Sequence, residues 1–423
     1  MSSVKLPFPR FFGNLVALYG VQIASLVIPL VLLPYLARTL QPAAWGQLAA
    51  VQSLSGVLML IVEYGFTLSA TRSVAAARQD TQQHAATAAG VLGAKAVLSC
   101  LLLVVAIVVY ALVSPMREEP GLYWWGVAYA VAQGFSPLWY FQGRERLRSA
   151  AALEVLARAF SVPLILVSVH APDDAWRVLA VHAALSVCIT IVNTVRMYRE
   201  IAFRVPTRRE TLISLREGWT LFLYRGAVTL YTTANAFILR LLVPAASVGL
   251  YVNAERLTSA GKGMLVPVSQ LLFPHITNLV SEDRERARRV ATLSLAGMTL
   301  LGAVGTITAC LLAPVVVHVL FGPGYEQSVG LLRILALTLP LVGISSVLGI
   351  QWMLPLGLDR AFNTIIASAG FLNVALAILL TTYYGSTGMA WAVTTSEAYV
   401  AVAMLIYLAR QGLAPIQFGR TTT

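Results

Sequence analysis

Residues 11–77 carry two successive apolar runs, each long enough to cross a bilayer. The first, FFGNLVALYGVQIASLVIPLVLLPYLARTL, holds no charge between Arg10 and Arg38. After the break QPAAWG comes the second, QLAAVQSLSGVLMLIVEYGFTLSATR. A hydrocarbon layer about 30 Å thick is spanned by roughly 20 helical residues at about 1.5 Å each. The two runs therefore predict a transmembrane helical hairpin. Glu63 sits inside the second run, at a depth where an ionised carboxylate is costly.

The same pattern recurs along the chain. Apolar runs separated by short charged or Pro/Gly breaks place cores near 12–37, 47–70, 88–113, 121–142, 150–169, 176–196, 218–241, 249–273, 290–317, 329–353, 362–383 and 387–409. Only 11% of the 423 residues are charged and 58% are hydrophobic, against about 25% charged in an average soluble domain. The expectation is an all-α polytopic membrane protein of about twelve spans. Lys5 and Arg10 ahead of an apolar core resemble a signal peptide, but that core is too long for one, so an uncleaved first span is expected. Cys100, Cys188 and Cys310 lie far apart in apolar runs and are expected to be small buried hydrophobes, without a disulfide.

Orientation follows from the arginines. One set of connections holds Lys5, Arg10, the 144–148 group, the 196–216 run, Arg284–Arg289, Arg360 and Arg410. The opposite set holds only Arg38, Arg117 and Arg177. The basic side is expected to be cytoplasmic, with both termini there, and most of the +12 net charge belongs to these loops rather than to a nucleic-acid surface. The longest polar break, RMYREIAFRVPTRRETLISLREG, divides the spans six and six. This predicts an N-terminal six-helix bundle over 1–203, a linker over 204–216 and a C-terminal bundle over 217–423. A weak repeat supports the halves: residues 34–54 align without gaps on 237–257, setting Gly46 over Gly249. Such parallel repeats are related by an axis along the membrane normal, and cargo is expected between them.

Seven cations remain within the spans: Lys95, Arg158, Arg225, Arg240, Arg256, Lys262 and Arg333. Glu63, Glu154, Glu255 and Glu397 are the acids at comparable depth. Each central charge costs about 2.5–3.5 kcal/mol to insert, so these side chains either pair with one another or face a wet chamber. Glu154 and Arg158 have the i,i+4 spacing of an intrahelical ion pair. Arg240, Arg256 and Arg333 can snorkel to the interface, and Glu63 and Lys95 can neutralise each other. Arg225, deep in WTLFLYRGAVTLYTTANAFIL, and Lys262, in SAGKGMLVP, are harder to assign to structure alone. Trp124, Trp125, Trp139 and Tyr140 have the placement of an interfacial aromatic belt. The histidines show no zinc spacing, and no phosphate-binding glycine loop is present.

VEYGFTLSATRSVAAARQD (62–80) resembles the second-span signature of Wzx-type flippases, in the polysaccharide transporter branch of the MATE-like (MOP) superfamily. LLPYLARTLQPAAWGQ (32–47), LWYFQGRERLR (138–148), VGLYVNAERL (248–257) and LRILALTLPLVGISSVLGIQWMLPLGLDRAFN (332–363) are similar to further family segments in the expected order. Arg144 and Arg256 depart from the family pattern. The resemblance implies a MATE-like fold of two pseudo-symmetric six-helix bundles working by alternating access. It implies a flippase moving undecaprenyl-pyrophosphate-linked oligosaccharide repeat units from the cytoplasmic to the periplasmic leaflet of a bacterial inner membrane, for O-antigen or exopolysaccharide assembly.

On that resemblance, Arg225, Lys262, Lys95 and Arg158 are expected to line a cationic cavity and hold the diphosphate, with Arg240, Arg256 and Arg333 at its outer end. Gln22, Tyr231, Asn235 and Asn253 are candidate sugar contacts, and Glu63 and Glu397 are candidate ion-coupling residues. No cofactor, metal or covalent chemistry is expected; a proton or sodium gradient is the driving force the family suggests. Expected partners are the lipid-linked oligosaccharide, membrane lipid, and a polysaccharide polymerase and chain-length regulator of the same pathway, with no nucleic acid. The rival readings are a peptidoglycan-precursor flippase, usually of fourteen spans, a multidrug antiporter with a more acidic or aromatic cavity, and a membrane polysaccharide polymerase or ligase.

Overall fold

The computed structural model describes residues 8–415 except 79; the side chains of residues 8–30, Tyr224, Ala227, Leu230 and Tyr231 lie outside it. The described residues form helices and no strands. In chain order these are α1 (Phe8–Glu63), α2 (Phe66–Ala76), α3 (Thr81–Leu112), α4 (Ser114–Arg117), α5 (Pro120–Gly134), α6 (Leu138–Gly143), α7 (Leu147–Ser168), α8 (Ala175–Glu200), α9 (Arg208–Thr232) and α10 (Asn235–Leu242). Then follow α11 (Ala245–Gly263), α12 (Val266–Glu282), α13 (Arg284–Phe321), α14 (Gln327–Ala336), α15 (Thr338–Ser346), a π-helical stretch Val347–Met353 and α16 (Asp359–Arg410). Among the described residues, eight helical segments are long and apolar enough to cross a membrane. Two of the longest helices are each interrupted by a kink. The backbone of α1 breaks at Gln41 (φ 60°) just before Pro42, where a proline suits the first turn of a new helix. That of α16 breaks at Gly385 (φ 59°).

Helix starts are set by local chemistry. Asp80 caps α3 by accepting from the Gln82 and Gln83 amides, and Asp283 caps α13 through the Arg286 amide. Thr207 and Glu210 form a reciprocal capping box at the start of α9. The hydrogen bonds from Thr207 hold the Glu210 carboxyl below the usual carboxylate range. The box therefore contributes stability above that range and loses it as pH falls through the depressed value.

Packing divides the chain into two compact units, residues 35–249 and residues 250–423 together with those up to 34. In the first unit, Phe66, Val74, Val91, Trp139, Tyr140 and Phe141 share one buried core. Trp139 and Tyr140 are therefore interior residues rather than belt aromatics, whereas Trp124 and Trp125 remain exposed. The glycines aligned by the repeat meet here. A Cβ on Gly46 would stand 2.6 Å from the Gly249 nitrogen and overlap the Ala245 carbonyl, and a Cβ on Gly249 would strike the Pro42 carbonyl. Close approach of two backbones needs side-chain-free positions of this kind.

In the second unit the π-helical stretch enters the core with Trp352 and Met353. Its Gln351 is fully buried yet satisfied, accepting from Ser294 at 2.6 Å and donating to Ser269 at 3.1 Å. Cys100 and Cys188 are exposed on their helices and Cys310 is half-exposed. This corrects the expectation that all three are buried: an apolar run supplies the lipid-facing side of a helix as well as its core side. Gly46→Ala and Gly249→Ala are each expected to lower the unfolding midpoint of the purified protein, at the cost of overpacking, about 1–3 kcal/mol. Gly297→Ala, where a Cβ meets nothing within 4 Å, is expected to leave it unchanged or raised; thermal unfolding in detergent reads all three.

Candidate functional site

The intramembrane charges are distributed over both units, and most have found partners. Glu63 is the last residue of α1, where the backbone turns through left-handed Tyr64 (φ 46°) and Gly65 (φ 82°) before α2. There it forms an ion pair with Arg225 of α9 and accepts a hydrogen bond from Thr67 of α2. Lys95 of α3 lies within electrostatic reach of Glu63, but its ammonium donates to the Ser136 carbonyl at 3.1 Å. Ser136 in turn donates to Glu154 at 2.9 Å. One polar chain thus runs from Glu154 through Ser136 to Lys95 beside the Glu63–Arg225 pair, within the unit 35–249.

Lys262 has the same kind of partner in the other unit. It is the second-last residue of α11, ahead of the break at Gly263–Leu265, and pairs with Glu397 of α16 at 3.0 Å. Arg225 and Lys262, expected to grip an anionic head group, are thus joined to the two carboxylates expected to couple an ion. The sequence offered Glu63 a different partner, Lys95. Tertiary packing instead brings Arg225 within reach from 162 residues away.

Arg240 does not snorkel. It is 7% exposed on α10, with its Nε on Gln47 at 2.7 Å, Nη2 on Glu118 at 2.5 Å and Nη1 on the Val243 carbonyl at 3.4 Å. Gln47 completes the set by donating to the Pro115 carbonyl at 2.5 Å. Burying a guanidinium requires this many acceptors. Glu118 and Gln47 were not legible as its partners, since one lies in the connection between α4 and α5 and the other in a distant helix. Arg333 is exposed and donates to the Cys310 carbonyl at 3.2 Å. Arg256 and Glu255 are half-buried on α11, and Asn235 and Asn253 are buried on α10 and α11. Gln22 and Tyr231 lie outside the described residues, as far as their side chains are concerned.

The Glu154–Arg158 ion pair that the spacing allows does not form. Glu154 takes the Ser136 hydroxyl, and Arg158 is exposed at the middle of α7 with no ion pair among the described residues. An i,i+4 spacing permits a pair without compelling one, because such a pair is worth only about 0.2–0.5 kcal/mol. No group of three or more metal-ligating side chains is found among the described residues.

An all-helical, multi-pass chain whose broken spans end at paired charges has the build of a membrane transporter, and the comparisons bear on which one. The family model described as "Polysaccharide biosynthesis protein" matches residues 12–280, more than half of the chain. The chain belongs to that family. Among curated proteins it is 28% identical over 410 residues to a "Putative O-antigen transporter" of Escherichia coli (strain K12), covering 96% of this chain and 98% of that one. It is 25% identical over 404 residues to the protein so named in Shigella dysenteriae, covering 93% and 98%. Among solved structures, the lipid II flippase MurJ in an inward closed conformation matches with a TM-score of 0.73 at 11% identity, over 93% of this chain and 87% of that one. An inward-facing MATE-family multidrug transporter matches with a TM-score of 0.63 at 13% identity, over 91% and 98%. These likenesses establish the fold, MATE-like with many spans.

A double-mutant cycle on Lys262 and Glu397 is expected to return a coupling of about 0.5–3 kcal/mol. Lys262→Ala and Glu397→Ala should each destabilise the purified protein by more than half the loss seen in the double variant, as chemical unfolding would show.

Proposed function

We infer that this protein is a flippase for lipid-linked oligosaccharide, carrying undecaprenyl-pyrophosphate-bound repeat units across the bacterial inner membrane for O-antigen or exopolysaccharide assembly. The observation that carries the reading is the family match over residues 12–280, joined by two O-antigen transporter relatives aligned over nearly their whole length. The fold alone does not choose among cargoes, since a lipid II flippase and a multidrug transporter share it. The charges do favour one. A diphosphate carries about two negative charges and cannot cross bare hydrocarbon. Arg225, Lys262 and Lys95 offer both the planar fork and the compact point charge that phosphate oxygens accept, whereas Arg158 stands apart on α7 without a carboxylate partner among the described residues.

The proposed architecture is twelve crossings in two six-helix bundles, 1–203 and 217–423 joined by 204–216, with both termini cytoplasmic and a cationic chamber opened to each side in turn. Arg225 and Lys262 meet carboxylates at rest. In this reading the head group competes with Glu63 for Arg225, or with Glu397 for Lys262, and the displaced carboxylate is then free to accept a proton or sodium ion. The exchange keeps the buried charge near balance at every stage, as a low-dielectric interior requires. Arg256 and Arg333 are assigned to drawing the anion toward the outer end, whereas Arg240 is taken up by Gln47, Glu118 and the Val243 carbonyl. Asn235, Asn253, Gln22 and Tyr231 are assigned to the sugars. Transport of this kind breaks no bond, and a polymerase and chain-length regulator are the expected downstream partners.

In proteoliposomes, unaltered lipid-linked oligosaccharide should appear in the opposite leaflet; a chemically changed glycan would instead indicate an enzyme. Arg225→Ala and Lys262→Ala should each lower surface polysaccharide at least tenfold in cells with normal protein abundance, and full activity in both would remove the diphosphate assignment. Where Glu63 or Glu397 couples an ion, dissipating the proton and sodium gradients should slow flux, and Glu63→Gln or Glu397→Gln should remove that dependence.

A further inference from the structure

Helices α5, α7 and α8 of the unit 35–249 carry a polar face that the head-group assignment does not use. On α8, His182, Ser186 and Thr190 recur at i, i+4 and i+8, forming one stripe. Ser186 donates to Gln133 of α5 at 3.0 Å, and Thr190 donates to the Ala132 carbonyl at 3.0 Å. The His182 ring lies against Tyr129 of α5, with centroids 5.8 Å apart. Tyr129 is within electrostatic reach of both Arg158 and Glu154 of α7.

This face looks away from lipid. On α7 the exposed Leu156, Phe160 and Val167 lie about 160–180° round the helix from Arg158 at about 100° per residue, the buried Ser161 and Ile165 lie within about 60° of it, and the exposed Val155 borders the face at about 60° on the other side. On α8, the exposed Ile191 and Val195 lie about 140–180° from Ser186 by the same geometry. Arg158 is nonetheless exposed, and Tyr129, Gln133, Glu154, His182 and Ser186 are all only partly covered. An exposed guanidinium at mid-span, turned from the lipid side, faces water or a ligand.

The composition of the face selects among ligands. A metal or sodium ion is disfavoured by Arg158 and by Lys95, which is joined through Ser136 to Glu154. A bare diphosphate needs donors, and here it would meet the Glu154 carboxylate and the Gln133 and Tyr129 oxygens. Sugar hydroxyls both donate and accept. Adjacent hydroxyls suit the planar carboxylate, amide and guanidinium of Glu154, Gln133 and Arg158, and the apolar face of a pyranose ring suits an aromatic side chain such as Tyr129. We propose that the α5–α7–α8 face around Tyr129, Gln133, Glu154, Arg158, His182 and Ser186 is a carbohydrate subsite that reads the glycan of the cargo. The proposal rests on the flippase reading and adds to it a sugar-reading surface distinct from Asn235, Asn253, Gln22 and Tyr231.

The test is equilibrium binding by the purified full-length protein in nanodiscs. Two probes are compared: sugar-free undecaprenyl pyrophosphate, and undecaprenyl-pyrophosphate-linked oligosaccharide extracted from cells lacking this protein. The wild type should bind the glycosylated probe at least tenfold more tightly. Tyr129→Ala and Gln133→Ala should each bring that ratio close to one while keeping the affinity for the sugar-free probe, which also shows that they fold. An unchanged ratio in both variants, or equal weakening toward both probes, overturns the subsite. Wild-type protein that binds neither probe overturns the flippase reading itself, and the subsite with it.

Discussion

A charge carried into hydrocarbon must find its partner within the protein, since water is not there to supply one. At about 2.5–3.5 kcal/mol per central charge, that requirement shapes much of this molecule. Glu63 reaches Arg225, Lys262 reaches Glu397 and Arg240 reaches Glu118. Each pair joins residues more than a hundred positions apart in sequence, so each fixes tertiary placement as well as charge. Such pairs add little net stability over apolar packing, but losing one partner leaves an uncompensated ion. They act as constraints on which arrangements are allowed.

The charges also coincide with places where helices stop. Glu63 precedes the left-handed Tyr64–Gly65 step, Lys262 precedes the Gly263–Leu265 turn, and Asn235 opens α10 directly after α9 ends. Irregular backbone at membrane depth is tolerated only where protein or trapped water satisfies its polar groups. A broken helix and an ionised side chain therefore share one need, a polar surrounding, and it is economical for them to occur together. Gly65, whose added Cβ would stand 3.0 Å from Leu221 Cβ, shows how closely α9 approaches the break that ends in Glu63.

A flippase for a charged lipid needs an interior that is neutral when empty and able to become cationic when loaded. Carboxylates paired to arginine and lysine meet that need in the proposed cycle, because the anionic cargo and the carboxylate compete for the same cation. The face built by α5, α7 and α8 has a different character. Its donors, acceptors and rings suit a hydroxyl-rich ligand, so the diphosphate and the glycan would be held by chemically distinct surfaces.

Hydropathy and spacing made the all-helical, multi-pass class legible, because crossing a bilayer is a local demand met by each stretch of about 20 residues separately. The segments around 32–80, 138–148 and 332–363 made the family legible too. The repeat that aligned Gly46 with Gly249 singled out positions where two backbones do meet. Partner choice was not legible. Glu154 and Arg158 had ideal spacing and did not pair, Arg240 had an interface within reach and stayed buried, and Trp139 and Tyr140 entered the core. Helical periodicity says which face a residue occupies, while an ion pair or hydrogen bond is decided within about 3 Å by segments distant in the chain. The sequence by itself determined that charges lie at depth and must be satisfied; only the tertiary structure decided by whom, because that depends on which helices pack together.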